Sequence, residues 1–473
     1  MGLNKKTAIL LILIILTGLV LRFSAIDKEG YWLDEGFTLI TATKPNLMEV
    51  TNSVLFYETS PPLYFYILNI WVELFGNSPY STRALSALFG TIAIVFVFLI
   101  SKKISDEKIA LFTTFLFSVS MLNLWVSQEA RPYALFVLLS LVSTFFLVNI
   151  LTDKNNKTQH LFYFFSLIIL IYTSYFTVFI IFFHFMSFLF VKKYHLLKKI
   201  FLIQVLAILT ITPWLLKAFT GYDLRQGVVY EILHYHANLP KFIAQFGQFA
   251  LVSPLILLSF LTFLIYFINL KKPIKKPKNF YNILQIFILL IFVAYFAMLL
   301  NFQIPFISMF FTWSRYFIFL FPAGYFIIAQ TFFKMNKKPK IYLVILIILL
   351  NFFALYTYYS STLKEEWIPA MEFLEFTKDS TNGMIFVDEG GANMYLIDYY
   401  YNGNMDAVEL AWRNKMLSTE QVRDALQNKE FAWLILSRNW RRGEYYKKMF
   451  DTNFNLVSQK EFFGIKLYIY STK

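Results

Sequence analysis

The 473-residue chain has no cysteine, which excludes disulfide staples, thiolate-bound zinc, iron–sulfur clusters and thiol catalysis. Charge is scarce too: 15% of residues are Asp, Glu, Lys or Arg, against 58% hydrophobic, too little polar surface for a water-soluble globular protein. Acids are the rarer sign, 29 against 43 basic residues, leaving a formal net charge of +14. That excess is no nucleic-acid signal, because most lysines stand in short clusters between apolar blocks, where positive charge sets membrane orientation. Aromatics are abundant: 20% of the chain, with 56 Phe and 30 Tyr. The apolar blocks run to about twenty residues, the length a bilayer-crossing helix requires. This composition excludes disorder, collagen and coiled coil, and predicts a polytopic all-α membrane protein.

Eleven spans are predicted, at about 7–26, 80–101, 107–125, 131–151, 159–175, 176–191, 198–216, 242–270, 279–300, 314–333 and 340–359. The first lacks a small-x-small cleavage site and is read as an uncleaved span. Two spans share 159–191 around Thr173-Ser174-Tyr175, with one long tilted helix as the competing reading. The apolar segment 61–75 opens with two prolines, carries Asn69 and Glu73, and is short for a span. If it lies along the surface as a juxtamembrane helix, eighteen lysines of the later clusters fall on the N-terminal side, against five basic residues opposite. If it crossed, every loop would break the positive-inside rule. The N-terminus is therefore expected in the cytoplasm. The loops 27–79, 126–131, 217–241 and 301–313, and everything after Tyr359, are expected on the external face of a multi-pass plasma-membrane protein.

The acids of the membrane part sort opposite to the lysines, so carboxylate chemistry is expected outside. From about Ser361 polar residues return and apolar runs shorten. Residues 1–360 thus read as a membrane domain and 361–473 as a small soluble α/β domain, with strands at 384–387 and 431–437, helices at 393–401 and 419–427, and a strand pair across 454–470. Val387-Asp388-Glu389-Gly390-Gly391 offers a ligand loop or an ordinary strand-to-helix turn.

Two motifs stand out. Tyr31-Trp32-Leu33-Asp34-Glu35 places adjacent carboxylates just beyond the first span, among aromatics suited to the interface. Ser127-Gln128-Glu129-Ala130-Arg131-Pro132-Tyr133 makes a minimal turn between spans, and Pro132 suits a first helical turn. Ions at such depth point to function, although a Glu129–Arg131 pair that only anchors a helix would explain the second motif as well. Trp32, Trp71, Trp125, Trp214 and Trp313 all fall on the expected external side, as suits a site for sugars or a lipid tail. His234 and His236, near Tyr230, Glu231 and Tyr235, lack an obvious third metal ligand. His184, inside a span, reads as a packing residue or a proton relay.

The order of these elements resembles the GT-C glycosyltransferases of the protein O-mannosyltransferase and lipid A aminoarabinose transferase type: one span, an aromatic-x-Asp-Glu loop, Pro-Pro-Leu-Tyr, Arg83-x-x-Ser-Ala-Leu-Phe-Gly90, then Gln-Glu-Ala-Arg-Pro-Tyr. The resemblance covers about residues 1–150 and extends weakly to Arg315-Tyr316 and Pro322. It implies a membrane enzyme that takes a sugar from a polyprenyl-phosphate donor and passes it to a lipid, glycan or protein acceptor on the external face. It also implies Asp34 as the catalytic carboxylate and Glu129 as the second acidic position. Thr59-Ser60 stand where relatives commonly carry His or Lys, and the nearby acid is Glu58.

Chemistry of this kind needs a base for the acceptor hydroxyl and cations for the leaving phosphate. Asp34 is the expected base, with Glu35 secondary. Arg131 and Arg315 are the phosphate candidates, backed by Arg83 and Arg225, since Arg engages phosphate oxygens bidentately. Trp32, Tyr64, Tyr133, His234 and His236 are candidate contacts to substrate or lipid. No cofactor is called for, and a divalent metal is left open, with no ligand set read. A single-displacement, inverting transfer suits a site with no further nucleophile. The alternative is a flippase or transporter of lipid-linked saccharides, which usually shows internal repeats, interrupted helices and midplane charges; no repeat is visible, and the ionisable residues gather at one interface.

Overall fold

The computed structural model describes residues 3–152, 157–190, 193–220, 318–335, 337–377, 382–388, 390–412, 415–437 and 441–472. Helix α1 (Lys5–Phe23) begins at Asn4, whose side chain caps Lys6 N–H, and turns Leu10, Ile12, Leu13, Leu16 and Val20 outward. An outward stripe this apolar suits lipid and would be costly in water. Only Thr7, Gly18 and Arg22 are buried on it.

Among the described residues, five helices are long and apolar enough to cross a membrane: 5–23, 79–104, 133–152, 194–218 and 340–360. A sixth is made by Glu107–Ser118 and Met121–Ser127 if that pair, bent by 56°, counts as one. Shorter apolar helices lie at 157–171, 177–188 and 318–334. The spans expected at 242–270 and 279–300 fall outside the described residues.

Two details depart from or refine the expectation. The span expected at 107–125 is broken into α6 (Glu107–Ser118) and α7 (Met121–Ser127). At the break, the carbonyl of Ser118 accepts from Arg22 Nη1 at 3.0 Å, and Ser120 Oγ bonds the Tyr325 hydroxyl. These bonds supply the partners that an interrupted helix needs in an apolar setting. The segment 159–191 forms two helices, α9 (Lys157–Ile171) and α10 (Thr177–Phe190), separated by a turn in which Thr177 Oγ1 donates to the carbonyls of Leu170 and Ser174.

The first loop carries three short helices: α2 (Leu33–Ala42), α3 (Leu47–Tyr57) and α4 (Leu63–Phe75). At 13 residues α4 is only about 20 Å long, short of the hydrocarbon thickness. It packs against α2, α3 and α5 (Pro79–Ile104). Asn69 donates to the carbonyls of Ala42 and Lys44, both at 2.8 Å, Trp71 donates to Ser81 O, and Glu73 is exposed. Helix α8 (Tyr133–Thr152) lies along α5.

Beyond the last long helix (Lys337–Ser360) the chain builds a five-stranded sheet of order β2-β1-β5-β7-β6, from Ala407–Glu409, Gly383–Val387, Phe431–Ser437, Ile465–Ser471 and Asn455–Phe462. The β1 pairings are parallel and the β5–β7 and β6–β7 pairings antiparallel. Gly464, at φ +75°, turns the last hairpin. The helix at Trp367–Phe376, the small β3–β4 pair (Ala411–Trp412, Lys415–Met416) and the helix at Arg441–Asn453 were not foreseen.

One face of this sheet shares its core with the first loop. Tyr31 and Leu39, both fully buried, join Trp367, Leu396, Trp433 and Ile469 in a single cluster. Gly36 of α2 faces the backbone of Ala392, where an added Cβ would lie 3.1–3.2 Å from Ala392 and Leu396. Segment 27–42 and the described residues beyond 361 therefore share one core at the end of the bundle where α1 finishes.

The Gly390-Gly391 turn is filled by protein. Gly391 has φ +67°, and a Cβ there would meet the Trp412 ring at 2.5 Å; at Gly390 it would meet the Glu409 side chain. Asp388 Oδ1 accepts from Ser437 N–H at 3.1 Å. The absence of a side chain at Gly391 makes room for the Trp412 ring at this strand-to-helix turn.

Candidate active site

The Asp34-Glu35 pair occupies the first turn of α2, where free N–H groups favour negative charge. Their environments differ sharply. Glu35 is fully buried and receives four donors from three segments. Its Oε1 accepts from Arg83 Nε (2.8 Å) and Ala130 N–H (2.9 Å); its Oε2 accepts from Arg83 Nη2 (2.7 Å) and Lys364 Nζ (3.1 Å). Burial pushes its pKa up, but Arg83, Lys364 and these hydrogen bonds outweigh it and bring the carboxyl down to about 2. Lys364 moves the opposite way from the usual lysine range, lowered by burial and by the nearby Arg83 despite the pull of Glu35 and Glu129.

Arg83 was expected to back up phosphate binding, and the geometry corrects that expectation. A guanidinium has five N–H donors, and here all five go to protein: Glu35 twice, and the carbonyls of Ile26, Glu29 and Gly30. Its face covers the Tyr31 ring at 5.3 Å. Arg83 is the clasp that folds the start of the loop over α5. Glu35, the secondary catalytic candidate, is likewise an anchor, held away from solvent with its lone pairs engaged.

Asp34 is only partly buried. Beside it lies a second ion pair: Arg131 Nη1 sits among the Asp34 carbonyl (2.9 Å), Thr38 Oγ1 (2.8 Å) and both carboxylate oxygens of Glu58 (2.9 and 3.0 Å). Burial raises the Glu58 carboxyl to about 7; Arg131 opposes this, and the neighbouring Asp34 charge adds to it. Arg131 therefore stands next to Asp34 as expected, and Glu58 joins it. Glu129 is buried, within electrostatic reach of Lys364 and Tyr358. Gln128 stitches this turn to the end of α1, donating to the carbonyls of Leu21, Arg22 and Ser24 and accepting from the Tyr358 hydroxyl.

The other candidates divide. Trp32 is half-buried at the cap of α2. Tyr64 is fully buried with its hydroxyl on Ser86 (3.1 Å), and Tyr133 is buried in a core cluster, so neither presents a surface for substrate as expected. Arg225, Arg315, His234 and His236 lie outside the described residues. His184 bonds Thr144 through Nε2 and Tyr163 through Nδ1, both at 3.1 Å, which fits the packing reading. Among the described residues no group of three or more His, Asp or Glu is placed to hold a metal.

Lys364 was missed from sequence. It lies in the connection after the last long helix, and that connection is threaded into the site. Glu29 accepts from the Leu363 and Lys364 N–H groups, Leu33 N–H donates to Glu365, and Lys28 Nζ donates to the carbonyls of Tyr358, Tyr359 and Ser361. The available signal was the Lys364-Glu365-Glu366-Trp367 cluster abutting a span.

A family model described as dolichyl-phosphate-mannose-protein mannosyltransferase matches residues 59–216, a stretch that takes in α4, Arg83 and the Glu129–Arg131 turn. No curated protein matches the chain in sequence. Among solved structures, ArnT from Cupriavidus metallidurans in the apo state superposes with a TM-score of 0.52 at 11% identity, over 98% of this chain and 97% of that one. The same protein bound to undecaprenyl phosphate gives 0.51 at 11% identity, over 98% of each chain. The fold is of the GT-C type that the motifs implied.

Two carboxyls of this cluster, displaced in opposite directions, contribute to stability in opposite pH ranges. Glu58 holds its proton to about pH 7 when folded but only to about 4.5 otherwise, so its contribution declines as pH rises through that window. Glu35, at about 2 when folded, contributes fully above about pH 4.5 and loses its contribution only as pH falls towards 2. Glu58→Gln should therefore shrink the drop in thermal midpoint between pH 5.5 and 7.5, measured on purified protein in detergent. An unchanged pH slope in that variant would contradict the assignment.

Proposed function

We propose that the chain is an integral membrane glycosyltransferase that moves a sugar from a polyprenyl-phosphate donor to an acceptor hydroxyl at the extracytoplasmic face, with inversion at the anomeric carbon. The observation that carries this reading is the division between adjacent carboxylates, Glu35 locked by four donors and Asp34 left partly accessible beside the Arg131–Glu58 pair. In the reaction Asp34 takes the acceptor O–H proton as that oxygen attacks the anomeric carbon. The bond from that carbon to the phosphate oxygen breaks, and polyprenyl phosphate leaves with the electron pair. Undecaprenyl phosphate, held by one of the structural neighbours, has the chemistry of this leaving group.

Arg131 is the described phosphate candidate at this end of the bundle. Its Nη1 is committed to Glu58, Thr38 and the Asp34 carbonyl, so it also positions α2. Arg315 and Arg225 complete the proposed cation set. The acceptor is a lipid, glycan or protein hydroxyl.

Placement outside rests on charge. The site end contains Arg22, Lys28, Arg83, Arg131 and Lys364, each engaged with carbonyl or carboxylate oxygens. Lys102, Lys103 and Lys108 stand at the opposite end of α5, as positive-inside orientation requires. The flippase alternative draws on the α6–α7 break, but the groups at that break are closed by Arg22 and Tyr325.

Asp34→Asn keeps shape and removes the base. Acceptor-dependent release of polyprenyl phosphate by purified protein in nanodiscs should fall about 10²-fold or more. Near-wild-type turnover with donor saturating would exclude Asp34 as the base. Lipid translocation without any polyprenyl phosphate release would favour the flippase. Because the chain lacks cysteine, Lys103→Cys and Lys460→Cys report topology in intact cells. An impermeant thiol reagent should label position 460 and spare 103, and the reverse pattern would overturn the external placement.

A further inference from the structure

Three aromatic side chains from three separate segments meet beside the candidate base. Phe37 lies one turn after Asp34 on α2, Tyr57 ends α3 directly before Glu58, and Trp412 comes from the β3–β4 pair beyond the last span. Ring centroids are 5.9 Å apart for Phe37–Tyr57, 5.8 Å for Phe37–Trp412 and 6.1 Å for Tyr57–Trp412, with mutual tilts of 32–37°. These tilts set the rings as an angled cluster. All three are half-buried, whereas the contacts that join the same two segments, Tyr31 and Leu39 with Leu396, are sealed from solvent. Joining the segments thus does not depend on the trio, which sits at the rim of their contact.

The surroundings fit a ring-shaped amphipathic ligand. Gly391 has no side chain where a Cβ would approach Trp412 at 2.5 Å and Phe37 at 3.1 Å, so Trp412 can reach across to α2. Glu409, exposed on β2, brings a carboxylate against Gly390, the residue before the Gly391 that Trp412 packs on. On the other side are Asp34 and the buried Glu58. Flat aromatic faces flanked by carboxylates match a sugar, whose C–H face is apolar and whose rim of hydroxyls donates hydrogen bonds.

We propose that Phe37, Tyr57 and Trp412 form a subsite that stacks one sugar ring next to Asp34, completed by a side chain from the C-terminal α/β segment. This inference rests on the glycosyl-transfer reading above. The ring belongs to the donor or to a glycan acceptor, and the measurement separates the two.

The test compares Trp412→Phe, Trp412→Ala, Phe37→Leu and Tyr57→Leu with wild type in full-length protein in nanodiscs. Polyprenyl-phosphate release is measured while donor and acceptor are varied separately. Removing a ring should raise KM for one substrate by about tenfold with kcat little changed, and Trp412→Phe should retain most of the affinity. A rise in donor KM assigns the donor sugar; a rise in acceptor KM assigns an acceptor glycan. Folding is checked by thermal midpoint, and the α3 variant Tyr57→Leu serves if Trp412→Ala fails to fold, since it leaves Gly391 and its neighbours Phe37 and Trp412 intact. Unchanged KM for both substrates, or a fall in kcat alone, in folded variants would overturn the subsite. If wild type itself releases no polyprenyl phosphate with any donor and acceptor, the glycosyltransferase reading fails instead, and the subsite proposal falls with it.

Discussion

The buried carboxylate of Glu35 is the interaction on which the rest of this site depends. Four donors converge on it, from α5, from the turn before α8 and from the connection after the last span. A carboxylate withdrawn from water costs several kcal/mol unless cations and hydrogen bonds replace its hydration. Arg83 and Lys364 do that here, and Arg83 in turn gathers the carbonyls of residues 26, 29 and 30. Removing one partner would leave a buried charge exposed to that penalty, about 3–5 kcal/mol. The orientation of α2 is thereby tied to a residue 329 positions further along the chain.

Once α2 is fixed, the chemistry of its first turn follows. Neighbouring residues on a helix point about 100° apart, so anchoring Glu35 inward directs Asp34 towards the partly open side. There the Arg131–Glu58 pair grips α2 through Thr38 and the Asp34 carbonyl. The two acids differ because their surroundings do, one saturated with donors and one adjacent to a carboxyl that keeps its proton to about pH 7. The shared core of Tyr31, Leu39 and Leu396 then brings the C-terminal sheet over the same end of the bundle.

Much of this was legible in sequence. Apolar length located α1, α5 and α8, and helix-breaking prolines with Asn69 and Glu73 marked 61–75 as something other than an ordinary span. The β-rich runs at 384–387 and 431–437 appear nearly where expected. What could not be read were relations between distant segments. Nothing local distinguishes Glu35 from Asp34, or marks Arg83 as a clasp instead of a phosphate ligand, because each role is set by partners far along the chain. The α6–α7 break was hidden in an unbroken apolar run: Ser118, Val119 and Ser120 carry no proline or glycine, and the bend is supported by Arg22 and Tyr325. Trp412 sits in a pair of two-residue strands too short to announce itself by alternation.

The central claim, that one buried carboxylate couples the first loop to the chain beyond the last span, is tested most directly by a double-mutant cycle between Glu35 and Lys364. Thermal stability of Glu35→Gln, Lys364→Met and the double variant would be compared with wild type in the same detergent. The account predicts that both single changes destabilise and that the double change costs less than their sum, leaving a coupling of about 1–3 kcal/mol. Additive losses, within about 0.5 kcal/mol, would show that the two residues do not act as one unit and would contradict it.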